Sequence, residues 1–130
     1  MKNSTMLTIT SLLSILFLTF HQADDIILGY APGGVANMVA IAIVVVWLYA
    51  ALVLTERRSG YVISLLFSLV AAGVPVIHMT GLGLGAGKSA GATFFVWTLL
   101  ALGLTSIFGV ILSVHGLWSL VRGKEPAEAE

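Results

Sequence analysis

Three residues near the ends of two apolar runs have side chains that could act together: His21, Asp25 and His78. His21 and Asp25 are four residues apart, so a single helical turn would present both on one face. Two imidazoles and one carboxylate suit a divalent transition metal ion with an open coordination position. The same groups could transfer protons, because histidine titrates near neutrality and ionisable groups inside membranes are often functional.

In a third interpretation, these three side chains have no chemical role. Histidines and carboxylates at the end of a membrane helix often contact only headgroups and water. The sequence contains no dense ligand motif such as H-E-x-x-H, so a metal site requires the fold to bring His21 and His78 together. The residue types therefore leave three alternatives open: interfacial side chains, a proton or ligand site, and a site whose cofactor is a divalent metal ion.

The composition indicates a protein that is embedded in a lipid bilayer. Its 130 residues are 58% hydrophobic and 9% charged, with a mean hydropathy of +1.06, whereas soluble domains carry about 25% charged residues. There is no cysteine, which excludes disulfides and thiolate ligands. With zero net charge and no long basic run, we expect no nucleic-acid partner. The expected partners are membrane lipids and either a second copy or a larger membrane protein.

Four apolar runs predict an all-α integral membrane protein, a four-helix bundle of antiparallel transmembrane helices. The predicted spans cover about residues 5–22, 35–54, 61–78 and 92–121, followed by a disordered tail at 122–130. Pro75 predicts a kink or an early end of the third span. The runs lack the alternation of a β-barrel strand.

The first apolar run also has features of a secretory signal peptide. It starts after Lys2 and could be cut after Ala23. His21 would then lie three residues before the cut, where a small residue is needed, so the sequence favours a retained span.

Basic residues predict the orientation of the bundle. On a four-span scheme one side of the membrane carries Lys88 alone, and the other carries Lys2, Arg57, Arg58, Arg122 and Lys124. The positive-inside rule then places both termini in the cytoplasm. We expect the membrane to be the bacterial cytoplasmic (inner) membrane.

Two helix faces of small and hydroxyl side chains predict how the helices pack, because such faces favour helix–helix contact over lipid. At 100° per residue, each face spans a narrow arc and reaches a histidine at the outer end. The first consists of Ser11, Ser14, Leu18, His21 and Asp25, and the second of Ser64, Ser68, Ala71, Pro75 and His78. Packing of these faces would collect His21, Asp25 and His78 at the outer mouth of the bundle.

A glycine-rich loop is predicted over residues 79–91. Its stretch from Gly85 to Ser89 is similar to the end of a phosphate-binding loop, but Leu82 stands where that motif needs its first glycine. We therefore expect no nucleotide. The loop could instead act as a lid over the histidine mouth, since glycines permit close backbone approach.

These patterns favour a small multi-pass protein without catalytic activity, an accessory or assembly component of the membrane. One alternative is a membrane-embedded metal- or proton-dependent enzyme acting on a lipid or quinone at the outer leaflet, with His21, Asp25 and His78 as ligands or acid–base groups. A second alternative is a binder or carrier of a lipid or small molecule.

Overall fold

The computed structural model describes residues 2–29, 31, 33–81 and 90–123. These residues form four α-helices and one short 3₁₀-helix, Gly34–Asn37. The α-helices are α1 (Asn3–Ile27), α2 (Met38–Val53), α3 (Arg58–Gly81) and α4 (Ala90–Arg122). The predicted all-helical fold is confirmed for these residues. The predicted tail beyond residue 123 and residues 82–89 of the glycine loop lie outside the described residues.

Three of the helices are long and apolar enough to cross a membrane, and α2 is shorter. Its 16 residues measure about 24 Å, less than a hydrocarbon core of about 30 Å. The 3₁₀-helix that precedes it adds about 8 Å at about 2 Å per residue. The second predicted span therefore approaches membrane length only when this 3₁₀-helix is included.

The bundle is apolar outside and hydroxyl-rich inside. Large hydrophobic side chains point outward all round, with Val39 71% and Leu104 59% exposed. The fully buried positions include six serines with exposure of 1% or less: Ser11, Ser14, Ser64, Ser68, Ser106 and Ser113. This distribution is the one expected where lipid surrounds the helices and small residues allow them to pack closely.

Two helices extend beyond the predicted limits. The helix α1 continues through Ile27, so Asp24 and Asp25 belong to it and not to a connector. The helix α3 begins at Arg58 and passes through Pro75 to Gly81, so the early end predicted at the proline does not occur. Membrane helices tolerate the loss of the one backbone hydrogen bond that proline removes.

Glycines allow α3 and α4 to approach closely. Three glycines of α4 each face one α3 side chain: Gly103 faces Pro75, Gly109 faces Ser68, and Gly116 faces the Tyr61 ring. A Cβ atom at any of the three positions would overlap the facing side chain. The spacing of the two helices therefore depends on the absence of those side chains.

Polar contacts hold α1 against its neighbours. The Ser14 hydroxyl donates a hydrogen bond of 3.0 Å to Thr105 Oγ1 on α4. Thr8 Oγ1 donates to the Ala51 carbonyl at the end of α2, at 3.1 Å. These contacts, with an apolar cluster that includes Trp47 and Leu102, set the rotation of α1 that turns its serine face inward.

Candidate metal centre

The ends of α1 and α3 bring His21, Asp25 and His78 together. The two imidazole Nε2 atoms lie 3.2 Å apart. Asp25 Oδ2 lies 3.6 Å from the Nε2 atom of His21 and 4.0 Å from that of His78. Because α1 continues past His21, Asp25 follows one turn later on the same face. Among the described residues, these three form a group compact enough to hold a metal ion.

The cluster is shielded from the surroundings. His21 is 2% exposed and Asp25 8% exposed, while His78 is partly buried. The Phe95 ring of α4 contacts both imidazoles, with ring centroids 4.8 Å from His21 and 5.4 Å from His78. The donor atoms therefore lie in an environment of low polarity, where a charged carboxylate needs a cation or a hydrogen-bond donor.

The distances between the donor atoms fit coordination of one ion. Ligands at adjacent corners of a tetrahedral zinc site with bonds of about 2.0–2.1 Å are about 3.3 Å apart. The Nε2–Nε2 separation of 3.2 Å matches this value. Asp25 Oδ2 would need to approach the two nitrogen atoms by less than an ångström.

A proton relay is the competing chemistry, and the described residues offer His21 no onward acceptor for a proton. A relay through imidazole takes a proton at one ring nitrogen and releases it at the other. Here the same atom of His21, Nε2, faces both His78 and Asp25. The opposite nitrogen, Nδ1, is buried without a hydrogen-bond partner among the described residues. Three donors converging on one point favour a bound cation over a chain of proton carriers.

Two other ionisable side chains lie outside the cluster. Asp24, next to Asp25 in the chain, does not belong to the compact group. His115 is exposed and lies 20 residues beyond Phe95 on α4, a distance of about 30 Å along the helix. The residues at the centre of the predicted glycine lid lie outside the described part of the chain.

Phe95 also belongs to the site, although a phenylalanine within an apolar run predicts only packing or lipid contact. A signal for its burial exists, because Thr98, Leu99 and Leu102 follow it at helical spacing and all four are buried. Its contact with two histidines had no sequence signal, since it depends on the rotation of α4 against α1 and α3.

Comparisons with known proteins assign no relationship. The chain matches no protein-family model, and neither the curated proteins nor the solved structures yielded a similar protein.

Proposed function

We propose that all four helices cross a bacterial cytoplasmic membrane as an antiparallel bundle with both termini in the cytoplasm. The distribution of basic residues supports this orientation. Contacts between opposite ends of neighbouring helices are consistent with it. Asn3, at the start of α1, donates to the Leu112 carbonyl near the end of α4, and Ser4 lies within 3.4 Å of Glu56 in the α2–α3 turn.

We further propose that α1 is a retained span and not a cleaved signal. Its buried serines and its hydrogen bond to Thr105 support this. Removal of α1 would take away the Ser14 partner of the buried Ser106 hydroxyl on α4, and an unpaired hydroxyl facing lipid costs free energy.

The function that we propose is a membrane-embedded metalloprotein whose divalent ion is held by His21, His78 and Asp25. One observation carries it, namely the convergence of two Nε2 atoms and one carboxylate oxygen in a buried cluster. Two histidines and one carboxylate are a ligand set used for catalytic zinc and for non-haem iron, with positions left for water or substrate.

A bound ion would supply Lewis acidity or redox chemistry next to lipid. The protein's residues orient the donors, and Phe95 restricts the access of water. This favours the metal-dependent enzyme acting on a lipid or quinone at the outer leaflet. The role as an accessory component that assembles with itself or a larger complex stays a prediction.

Metal analysis tests the proposal. The protein would be purified in mild detergent without chelator, and zinc, iron, manganese and cobalt would be measured by plasma mass spectrometry. We expect a stoichiometric ion in the wild type and its loss in His21→Ala and in His78→Ala. His115→Ala is the matched control and should keep the ion.

Folding must be checked in the same samples by circular dichroism and size-exclusion chromatography. A folded wild type that takes up none of the four ions after loading would overturn the proposal. So would a folded His21→Ala protein with the metal content of the wild type.

A further inference from the structure

A second site lies between α1 and α2, on the side of α1 next to the metal cluster. It is a partly open groove of about 470 Å³. Its walls are apolar and include Leu18, Ile26, Ile41 and Val44. The volume falls within the range of about 300–1,000 Å³ that is typical of small-molecule sites.

One part of the groove is polar. Gln22 Nε2 donates to Asn37 Oδ1 at 3.4 Å, and both side chains line the groove. This bond leaves the Gln22 carbonyl oxygen as an acceptor and the Asn37 amide nitrogen as a donor. Among the described residues that line the groove, none is charged. A ligand with a charged headgroup would therefore find no counter-ion here.

We propose that this groove binds a prenylated quinone, an amphiphile with one apolar chain and a neutral headgroup bearing carbonyl oxygens. The apolar walls fit the chain, and the Asn37 amide can donate to a headgroup carbonyl. A phospholipid fits less well because it has two chains and a charged phosphate. The polar pair thus offers a neutral donor and a neutral acceptor to a headgroup, which the hydrocarbon chains of bulk lipid would not use.

The groove adjoins the proposed metal centre. Gln22 directly follows His21 in α1, and Asp25 comes three residues later. At 100° per residue, Gln22 lies about 60° from Asp25 around the helix. A headgroup bound at Gln22 would lie beside the metal ligands. The quinone's role as substrate rests on the proposed function, whereas its binding to the groove does not.

Binding can be measured in the purified full chain with decylubiquinone as the probe. Quinone quenching of tryptophan fluorescence would be followed in detergent, and Trp47 packs in the same apolar cluster as the groove residue Val44. We expect saturable quenching in the wild type. Ala40→Leu fills the groove and should weaken binding at least tenfold. Ala42→Leu, two residues away on the exposed face, should bind like the wild type.

Gln22→Leu provides a second variant that keeps the size of the side chain and removes the polar pair. It should weaken quinone binding several-fold while the apolar walls stay intact. Non-saturable quenching that is equal in all four proteins would overturn the inference. Equal competition by dioleoylglycerol or phosphatidylglycerol would also overturn it, because the groove would then accept lipids generally.

Two further measurements on the same samples complete the test. A wild-type dimer that Ala40→Leu dissociates would overturn the inference by making a second copy the occupant. Metal content separates the two proposals: saturable binding to a wild type that takes up no ion after loading would keep the quinone site and overturn the metal function. A metal-loaded wild type without saturable quenching would keep the metal function and overturn the quinone site.

Discussion

The Nε2 atoms of His21 and His78 lie 3.2 Å apart although 57 positions separate these residues in the chain. Each histidine is near the end of a different helix, so the distance is set by how α1 and α3 are aligned along their axes. A shift of one residue along either helix moves a side chain by about 1.5 Å. That shift would exceed the tolerance of a metal–ligand bond, so the packing along the whole bundle determines the site.

Replacing Asp25 by asparagine should weaken metal binding while keeping the shape of the side chain. An amide lacks the negative charge that the ion requires, and we expect a loss of at least the ~10-fold that outer-shell changes already cause. Asp24→Asn is the neighbouring control: it removes an equal charge that lies outside the compact group and acts on His21 only through space, so it should weaken binding far less. Titration with Co²⁺, followed by its visible absorption, measures both affinities. Equal affinities in the two variants would remove Asp25 from the ligand set.

Replacing Phe95 by alanine should both destabilise the protein and loosen the cluster. The change leaves a cavity beside two imidazoles, and such truncations cost about 3–5 kcal/mol in well-packed cores. Phe94→Ala is the matched control, because Phe94 is 51% exposed and should change stability far less. Thermal unfolding in detergent, with Co²⁺ affinity measured on the same samples, compares them. If both variants unfold at the same temperature, Phe95 does not support the site.

The sequence predicted the helical architecture because apolar run length and hydroxyl faces follow simple periodicities. The inward serine faces of α1 and α3 also predicted that His21, Asp25 and His78 would meet. The limits of α1 were less predictable. By composition, two aspartates at the end of an apolar run indicate a connector between helices. In the structure Asp25 is buried next to two histidines, and the helix continues to Ile27.

Other features depend on contacts between helices that have no local signature. By its local sequence effect, Pro75 should interrupt the helix α3. In the structure its ring lies against Gly103 and α3 continues. The 3₁₀-helix Gly34–Asn37 contributes to the lining of the groove between α1 and α2, whereas the sequence predicts an ordinary span from residue 35. The pairing of Gln22 with Asn37 depends on that 3₁₀-helix.

Gly116→Ala should separate α3 from α4. The new methyl group would overlap the ring of Tyr61, which is 6% exposed and has little room to move. Overpacking of this kind typically costs about 1–3 kcal/mol. Gly73→Ala is the control inside α3, where a Cβ atom meets nothing within 4 Å, and it should be neutral or slightly stabilising because alanine favours the helix. Unfolding by SDS, followed by circular dichroism, ranks the variants, and equal stability would contradict the close approach.

The hydrogen bond from Ser14 to Thr105 should couple α1 to α4 by a measurable free energy. Ser14→Ala, Thr105→Val and the double variant form a thermodynamic cycle that isolates this contact. Such bonds between membrane helices contribute about 0.6 kcal/mol on average and at most about 1.7, and we expect a value in this range since both side chains face the interior. Ser14 also lies 3.5 Å from Ser106, so Ser14→Ala should cost more than the coupling alone. SDS unfolding of the four proteins supplies the cycle, and a coupling free energy near zero would show that α1 is held by apolar packing instead.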